Sequence, residues 1–173
     1  MSLLSEPLFH GHGVVVLDAG NLFDPYLISR KAQALKRKPR EFLSKILVSR
    51  SFTCHQTHAL VRKIYTDYCE NTFRVILVLG CLTNFCDEDV PFKEREALLK
   101  RTIELLKKIA QRGTKVLLTL SEPPFNVPSR WIDFLVCVAD GAARIEFYRD
   151  GSFRLYPIKG MDADGFAGGL DHG

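Results

Sequence analysis

The chain has 173 residues, of which 46% are hydrophobic and 25% are charged, and its formal net charge is +4. A chain of this length can bury about 70% of its unfolded surface, so it can fold without disulfides or a structural metal. Its longest apolar runs, such as 14–17 and 75–79, are far shorter than the ~20 residues of a membrane-spanning helix. These properties exclude small disulfide scaffolds and predict a single globular domain with no membrane partner.

The N-terminal segment and the cysteines indicate the compartment. Residues 1–13 have neither the cationic start nor the long apolar stretch of a secretory signal peptide. The cysteines are odd in number, form no CxxC pair and lie mostly in apolar segments: Cys54, Cys69, Cys81, Cys86 and Cys137. Both features are typical of reduced core thiols, and we expect a cytoplasmic protein.

The first elements in chain order are a strand, a helix and a second strand. The apolar run from Val14 to Asp18 is typical of a strand buried on both faces of a parallel sheet. Pro25 suits the first turn of a helix, which we expect to continue to Lys38 and to end before Pro39. A short second strand follows over 46–49.

The middle of the chain predicts helices on both sides of a third strand. Helical spacing of apolar residues extends from about Cys54 to Cys69, with Thr53 as a plausible cap. A buried strand follows over 74–79, and the most regular helical pattern covers 92–112, closed by Gly113.

The C-terminal part predicts four further strands. They cover 115–120, 134–139 and a hairpin whose two arms alternate around Asp150 and Gly151, while Trp131 is predicted to be a core anchor. The resulting class is α/β, with a mainly parallel sheet flanked by helices and a C-terminal antiparallel hairpin. We expect an N-terminal extension over 1–13, one domain over 14–159 and a flexible tail over 160–173.

Polar residues follow two strands of the predicted sheet. In parallel sheets, ligands bind beyond the carboxyl ends of the strands. The loops at these ends supply a candidate polar cleft: Asp18, Asn21, Asp24, Thr83, Asn84 and Asp87. Turn and helix-cap chemistry accounts for several of these residues equally well.

A run of cations with no acid among them lies between the first two strands: Arg30, Lys31, Lys36, Arg37, Lys38 and Arg40. Such a run can bind the phosphates of a nucleic acid, and it can equally be a solvated helix end. The sequence shows no aromatic platform for bases beside it. DNA is therefore a candidate partner, with these six residues as its contacts.

Metal sites have weaker support in the sequence. The acidic loop 87–89 contains oxygen ligands suited to Mg²⁺, but a solvated loop before a helix explains it as well. The histidines at 10, 12, 55 and 58 lack a second ligand pair with zinc spacing, and Cys54 lacks an oriented base. A hydrolase that uses Asp18, Asp24 and Asp87 has no spacing to support it. We predict no metal site and no catalytic residue.

The order of four segments resembles the ATPase core of RecA, its archaeal and eukaryotic relatives and KaiC. The segments are VVVLDAGNLFDP, ILVSRSFTCHQTHAL, VILVLGCLTNF and KVLLTLSE, and the match covers roughly Val14 to Tyr156. Its most specific stretch is SRSFTCHQTHAL, which is similar to the Arg-aromatic strand exit and following helix of eukaryotic-type recombinases. The resemblance implies a RecA-like sheet and a link to DNA repair or recombination.

The chain departs from this family at three parts of the ATP site. No GxxxxGK[ST] loop is present to hold phosphates. Gly20 stands where relatives place the water-activating Glu, and Gly80 where they place the Mg-associated Asp. The missing phosphate-loop strand would leave a gap or exposed edges in the family's sheet, unless strands that the family separates pair directly.

The sequence therefore predicts a RecA-like domain that binds or scaffolds without hydrolysing ATP and needs no cofactor. Its expected partners are a second copy of itself, a related ATPase subunit or DNA. The alternative is an N-terminally truncated ATPase of the same family, which would bind ATP and Mg²⁺ through a phosphate loop upstream.

Overall fold

The structure, a computed structural model, describes residues 8, 10–67, 73–120, 127–148 and 152–160. The chain divides into two compact units, Met1–Val127 and Pro128–Gly173. The single domain over 14–159 stays a prediction. Most of the predicted extension and tail, together with Cys69 and the turn at 150–151, lies outside the described residues.

The first unit is built on a parallel sheet of four strands in the order β2-β1-β3-β4. The strands are β1 (Gly13–Asp18), β2 (Ile46–Arg50), β3 (Phe73–Leu79) and β4 (Lys115–Leu118). β1 pairs directly with β2 and with β3, so the sheet has no gap among its described strands. The predicted α/β class with a parallel sheet is confirmed.

The burial of β1 follows from its central place in the sheet. Its residues from Val14 to Asp18 are all at most 1% exposed, because strands flank both edges and helices cover both faces. Its last residue, Asp18, pairs in register with Arg50 on β2 and Leu79 on β3. Three strand exits therefore meet at one edge of the sheet.

Four helices of the first unit connect these strands. α1 (Pro25–Ala34) and α2 (Pro39–Leu43) join β1 to β2, α3 (Cys54–Asp67) joins β2 to β3, and α4 (Phe92–Gln111) joins β3 to β4. Parallel crossovers are right-handed, so connections that move in opposite directions along the sheet cover opposite faces. Accordingly, α1 and α2 pack on the face that carries Val14 and Leu77, and α3 packs against α4.

The helix predicted to end at Lys38 ends at Ala34 instead. Lys36 has a φ of 54°, which breaks the helix, and Pro39 begins the short helix α2 rather than merely ending α1. The buried face of α1 carries Ile28 and Ala32. No helix of the described ranges combines the length and apolar character needed to cross a bilayer.

The second unit contains α5 (Ser129–Val138) and an antiparallel hairpin of β5 (Ala142–Phe147) and β6 (Phe153–Lys159). The hairpin is confirmed, but the strand predicted over 134–139 is wrong. That apolar run continues a helix that buries Trp131 and Leu135, one turn apart, so the anchor role of Trp131 is confirmed. A short apolar run fits a buried helix as well as a strand.

The cysteine prediction is wrong at one described position. Cys54 and Cys81 are buried and Cys86 is half-buried, but Cys137 lies on the exposed side of α5. A helix turns successive side chains around its axis, so an apolar run does not place every member in the core. The four cysteines of the described ranges are free thiols.

Lys159, at the end of β6, ties the hairpin to the C-terminus of α5. Its Nζ donates to the carbonyl oxygens of Cys137 and Ala139 at 2.7 Å and of Val136 at 3.3 Å. These carbonyls lie at the C-terminal end of the helix, where carbonyl oxygens have no amide donor from a following turn. One cation therefore joins two elements of the second unit.

We expect Lys159→Met to destabilise the second unit by about 1 kcal/mol, because the helix end loses a charged donor to three carbonyls. Hydrogen exchange of the amides in α5 and β6 measures the loss. The control is Lys115→Met, at an exposed position of β4. Equal protection of the α5 amides in both variants would contradict the role of Lys159.

Candidate functional site

The carboxyl edge of the sheet is where parallel α/β folds bind ligands. The chain leaves β1 toward β2 and leaves β3 toward β4, so the two connections diverge between these neighbouring strands. In open α/β sheets, such a divergence creates the crevice in which ligands bind. The residues after Asp18 and after Leu79 therefore decide what this edge can hold.

Backbone fills this crevice. The amides of Ala19 and Gly20 donate to the carbonyl oxygen of Leu79 at 3.0 and 3.1 Å. Gly80 has a φ of +65°, and a Cβ atom added to it would lie 2.8 Å from the Cα of Gly20. The loops after β1 and β3 thus touch where larger side chains would separate them.

These glycines occupy the two positions at which the resemblance expects ATPase acids. A carboxylate at Gly80 would begin with a Cβ that overlaps Gly20 and lies 2.9 Å from the Thr83 hydroxyl. At Gly20, the Cβ would lie 3.3 Å from the Cα of Gly80 and 3.0 Å from the Leu22 side chain. At Gly80 an acid requires movement of the Gly20 backbone, whereas at Gly20 it requires a small shift of the Leu22 side chain and of its close neighbour Gly80.

Asp18 is fully engaged inside the fold. Its carboxylate is 1% exposed and accepts the amides of Leu22 at 2.8 Å and Phe23 at 3.1 Å. Arg50 Nε lies 3.3 Å from the same carboxylate and neutralises it. Asp18 therefore closes the loop after β1 and fastens β2 to it, which leaves little capacity for a ligand.

Asn84 is the centre of a second buried network. Its side-chain amide donates to the Ser51 carbonyl oxygen at 2.9 Å and to the hydroxyl oxygens of Ser51 and Thr57 at 3.1 Å. The Ser51 amide in turn donates to the Asp18 carbonyl oxygen at 3.2 Å. Asp18 and Asn84 therefore both hydrogen-bond to the backbone of Ser51, and both stabilise the fold.

The other predicted cleft residues have separate local roles. Asp24 caps α1 by accepting the Tyr26 amide at 2.8 Å, and Asp87 accepts the Asp89 amide at 3.1 Å. Asn21 and Thr83 are exposed. Among the described residues, no group of three or more His, Cys, Asp or Glu side chains could hold a metal ion.

The predicted cations are exposed on α1, on the turn after it and on the first turn of α2. We call Arg30, Lys31, Lys36, Arg37, Lys38 and Arg40 the basic surface; all six are exposed. Arg30 lies 3.8 Å from Asp24 and Arg37 lies 3.3 Å from Glu41. The other four form no ion pair with any residue that the structure describes, so most of the charge faces solvent.

An aromatic residue that the sequence analysis overlooked adjoins this surface. Tyr26 is 72% exposed and lies one turn before Arg30 on the same face of α1. Helical periodicity could have revealed it, since Tyr26 lies opposite the buried Ile28 and Ala32. Phe52, 71% exposed, follows Arg50 at the exit of β2.

Cys54 and His55 do not form a nucleophilic pair. His55 lies 3.6 Å from the Cys54 sulfur through Nδ1 and 2.8 Å from Glu94 through Nε2. The Cys54 side chain is nevertheless inaccessible, and burial raises the pKa of its thiol above the ordinary value of 9.0. A protonated thiol without access to solvent cannot attack a substrate.

His58 joins α3 to α4 through Thr102. The Thr102 hydroxyl donates to the Leu98 carbonyl oxygen at 2.7 Å, so it accepts from His58 Nδ1 at 3.1 Å. Burial, aided by the charges of Arg62, Arg101 and His55, lowers the pKa of His58 from its ordinary value of 6.5. The packing of these helices therefore favours the neutral imidazole.

No protein-family model matches the chain, and no curated protein matches it.

We expect Gly80→Ala to destabilise the first unit by roughly 3 kcal/mol, because the new methyl group overlaps Gly20 and pushes the strand exits apart. The control is Gly113→Ala: Gly113 has a φ of +91° but no atom within 4 Å of its added Cβ. Its cost is conformational only, about 1 kcal/mol. Urea unfolding of both variants measures the difference, and equal losses would contradict the crevice contact.

His58 should make stability depend on pH. Because its pKa is lower in the fold, the unfolded chain binds the proton more readily. The contribution of neutral His58 to stability is therefore present above pH 6.5, the pKa in the unfolded chain. It is lost as the pH falls through the lower pKa that His58 has in the folded chain. Urea unfolding between pH 7.5 and 5, roughly, should show a smaller acid loss for His58→Gln than for the parent chain, with His12→Gln as the exposed control. Parallel curves for the parent and His58→Gln would refute this.

Proposed function

We propose that this chain is a non-hydrolysing, RecA-like binding domain whose ligand is single-stranded DNA. Its contact surface comprises the basic surface and Tyr26. The observation that carries this proposal is the exposure of six cations and an aromatic ring along α1, the turn after it and the start of α2. A link to DNA repair or recombination belongs to the same proposal and follows from the resemblance alone.

The carboxyl edge of the sheet supports the absence of hydrolysis. Phosphoryl transfer needs a cradle for the phosphates, a metal ligand and a group that orients the water. At this edge, Gly20 and Gly80 touch, and Asp18 is engaged by Arg50 and by two amides. The Asp18 carboxylate and the amides of Ala19 and Gly20 already form hydrogen bonds that hold the ends of β1, β2 and β3 together.

The composition of the α1 surface supports a strand of nucleic acid as the ligand. Cations neutralise phosphates and release counterions, which makes binding strong and sensitive to salt. An exposed ring stacks on bases of any sequence. Tyr26 and Arg30 are one turn apart, so a base and its neighbouring phosphate can contact the same helix face.

Self-association and a related ATPase subunit are the other partners to test. β2 and β4 are the outer strands of the sheet, and β4 has no second neighbour among the described strands. Open strand edges are surfaces through which chains pair. Light scattering on the same sample therefore accompanies each binding measurement.

The test is the fluorescence anisotropy of labelled oligothymidylate, titrated with the chain at several salt concentrations. The triple variant Lys31→Gln, Lys38→Gln, Arg40→Gln should bind more weakly and lower the salt slope by about 2. The matched control is Lys93→Gln, Lys107→Gln, Lys108→Gln, which removes the same charge from exposed positions of α4. Tyr26→Ala should weaken binding by about 1–3 kcal/mol.

The outcomes separate the candidate functions. Equal losses in both triple variants would mean that net charge alone attracts DNA, and the basic surface would not be the site. No binding at low salt, combined with a defined oligomer, would favour a scaffolding role. Binding of ATP and Mg²⁺ by the chain would support the truncated ATPase instead.

A further inference from the structure

The C-terminal hairpin has one face with an unusual composition. Directly paired residues of antiparallel strands project to the same side, and the register pairs Arg144 with Tyr156 and Glu146 with Arg154. Tyr148 lies two residues beyond Glu146 on that side. We call these five residues the Tyr-Arg face. The other side of the hairpin carries apolar residues, including Ile145 and Leu155.

The planar groups of the Tyr-Arg face contact one another. The Arg144 guanidinium lies 5.2 Å from the centre of the Tyr156 ring, and that of Arg154 lies 5.8 Å from the Tyr148 ring. The two tyrosine hydroxyls are 3.4 Å apart. These contacts join four planar side chains into one layer, in which each guanidinium is held by a ring.

This layer is accessible and carries positive charge. Tyr148 is 41% exposed and Tyr156 is 36% exposed. Among the described residues of this side, Arg144 and Arg154 face one acid, Glu146, which lies 2.6 Å from Arg144. The face therefore retains one cation more than it has anions, beside two rings.

We propose that the Tyr-Arg face is a second contact surface for single-stranded DNA. Arginine provides a fork of donors that suits phosphate oxygens, and its plane stacks as a ring does. Tyrosine rings stack on unpaired bases, which a duplex would keep buried in its own stack. The inference rests on the proposed function for its ligand class, but on different residues in a different unit of the chain.

The test uses the full chain and the same labelled oligothymidylate. The double variant Arg144→Gln, Arg154→Gln should lower the salt slope by about 0.7 to 1.4, the lower value applying if Arg144 stays paired with Glu146. The control Lys107→Gln, Lys108→Gln removes equal charge and should lower the slope less. Tyr148→Leu, Tyr156→Leu should weaken binding by roughly 5-fold or more for each base unstacked. Tyr156→Phe keeps the ring and should retain the parent affinity, which shows that the hairpin tolerates substitution.

Nuclear magnetic resonance locates the contact. The ring signals of Tyr148 and Tyr156 should shift on titration with the oligonucleotide, and a duplex of the same length should shift them less. Unmoved ring signals with bound DNA would overturn the proposal, and so would double variants that bind like the parent. If only the triple variant of the basic surface then loses affinity, the proposed function survives without this face. If neither set loses affinity, both proposals fail.

Discussion

The contact between the loops after β1 and β3 constrains the whole carboxyl edge of the sheet. Ala19 and Gly20 donate to Leu79, and Gly20 meets Gly80 with no side chain between them. This contact brings two neighbouring strand exits together at the place where open α/β folds keep a crevice. Backbone atoms of Gly20 and Gly80 therefore occupy the part of the edge where these two strands diverge.

Polar residues around this contact stabilise the fold. Asp18 is buried, and its negative charge is offset by Arg50 and by two amides, so removing Arg50 would leave a buried carboxylate without its counter-charge. Nearby, the buried Asn84 side chain donates hydrogen bonds to the Ser51 carbonyl oxygen and to the Thr57 hydroxyl oxygen. Residues of the types found in active sites are thus accounted for by hydrogen bonds within the protein.

Two exposed surfaces of the described residues share a composition. The basic surface combines cations with Tyr26, and the Tyr-Arg face combines two arginines with two tyrosines. Both pair charge with flat rings, the combination that binds unpaired nucleotides without reading their sequence. Binding through such surfaces requires exposure and charge rather than a closed pocket.

Most of the architecture could be predicted from local patterns. Local patterns predicted β1 and β3 from their apolar runs, α4 from its amphipathic spacing and the hairpin from its alternation. Each of these elements formed within a few residues of its expected bounds. Where local patterns were ambiguous, predictions failed: the run over 134–139 is part of a helix, and α1 stops early because Lys36 adopts a positive φ.

The candidate site depended on information that a linear pattern does not contain. Asp18, Asn84 and their neighbours were correctly placed near strand ends, but whether their oxygens were free depended on distant residues such as Arg50 and Ser51. The meeting of Gly20 with Gly80 required two strands to be adjacent in the sheet, although 60 positions separate these glycines in the chain. Local composition therefore established the elements and the charged run, while long-range contacts determined which polar groups are committed to the interior and which remain available for a partner.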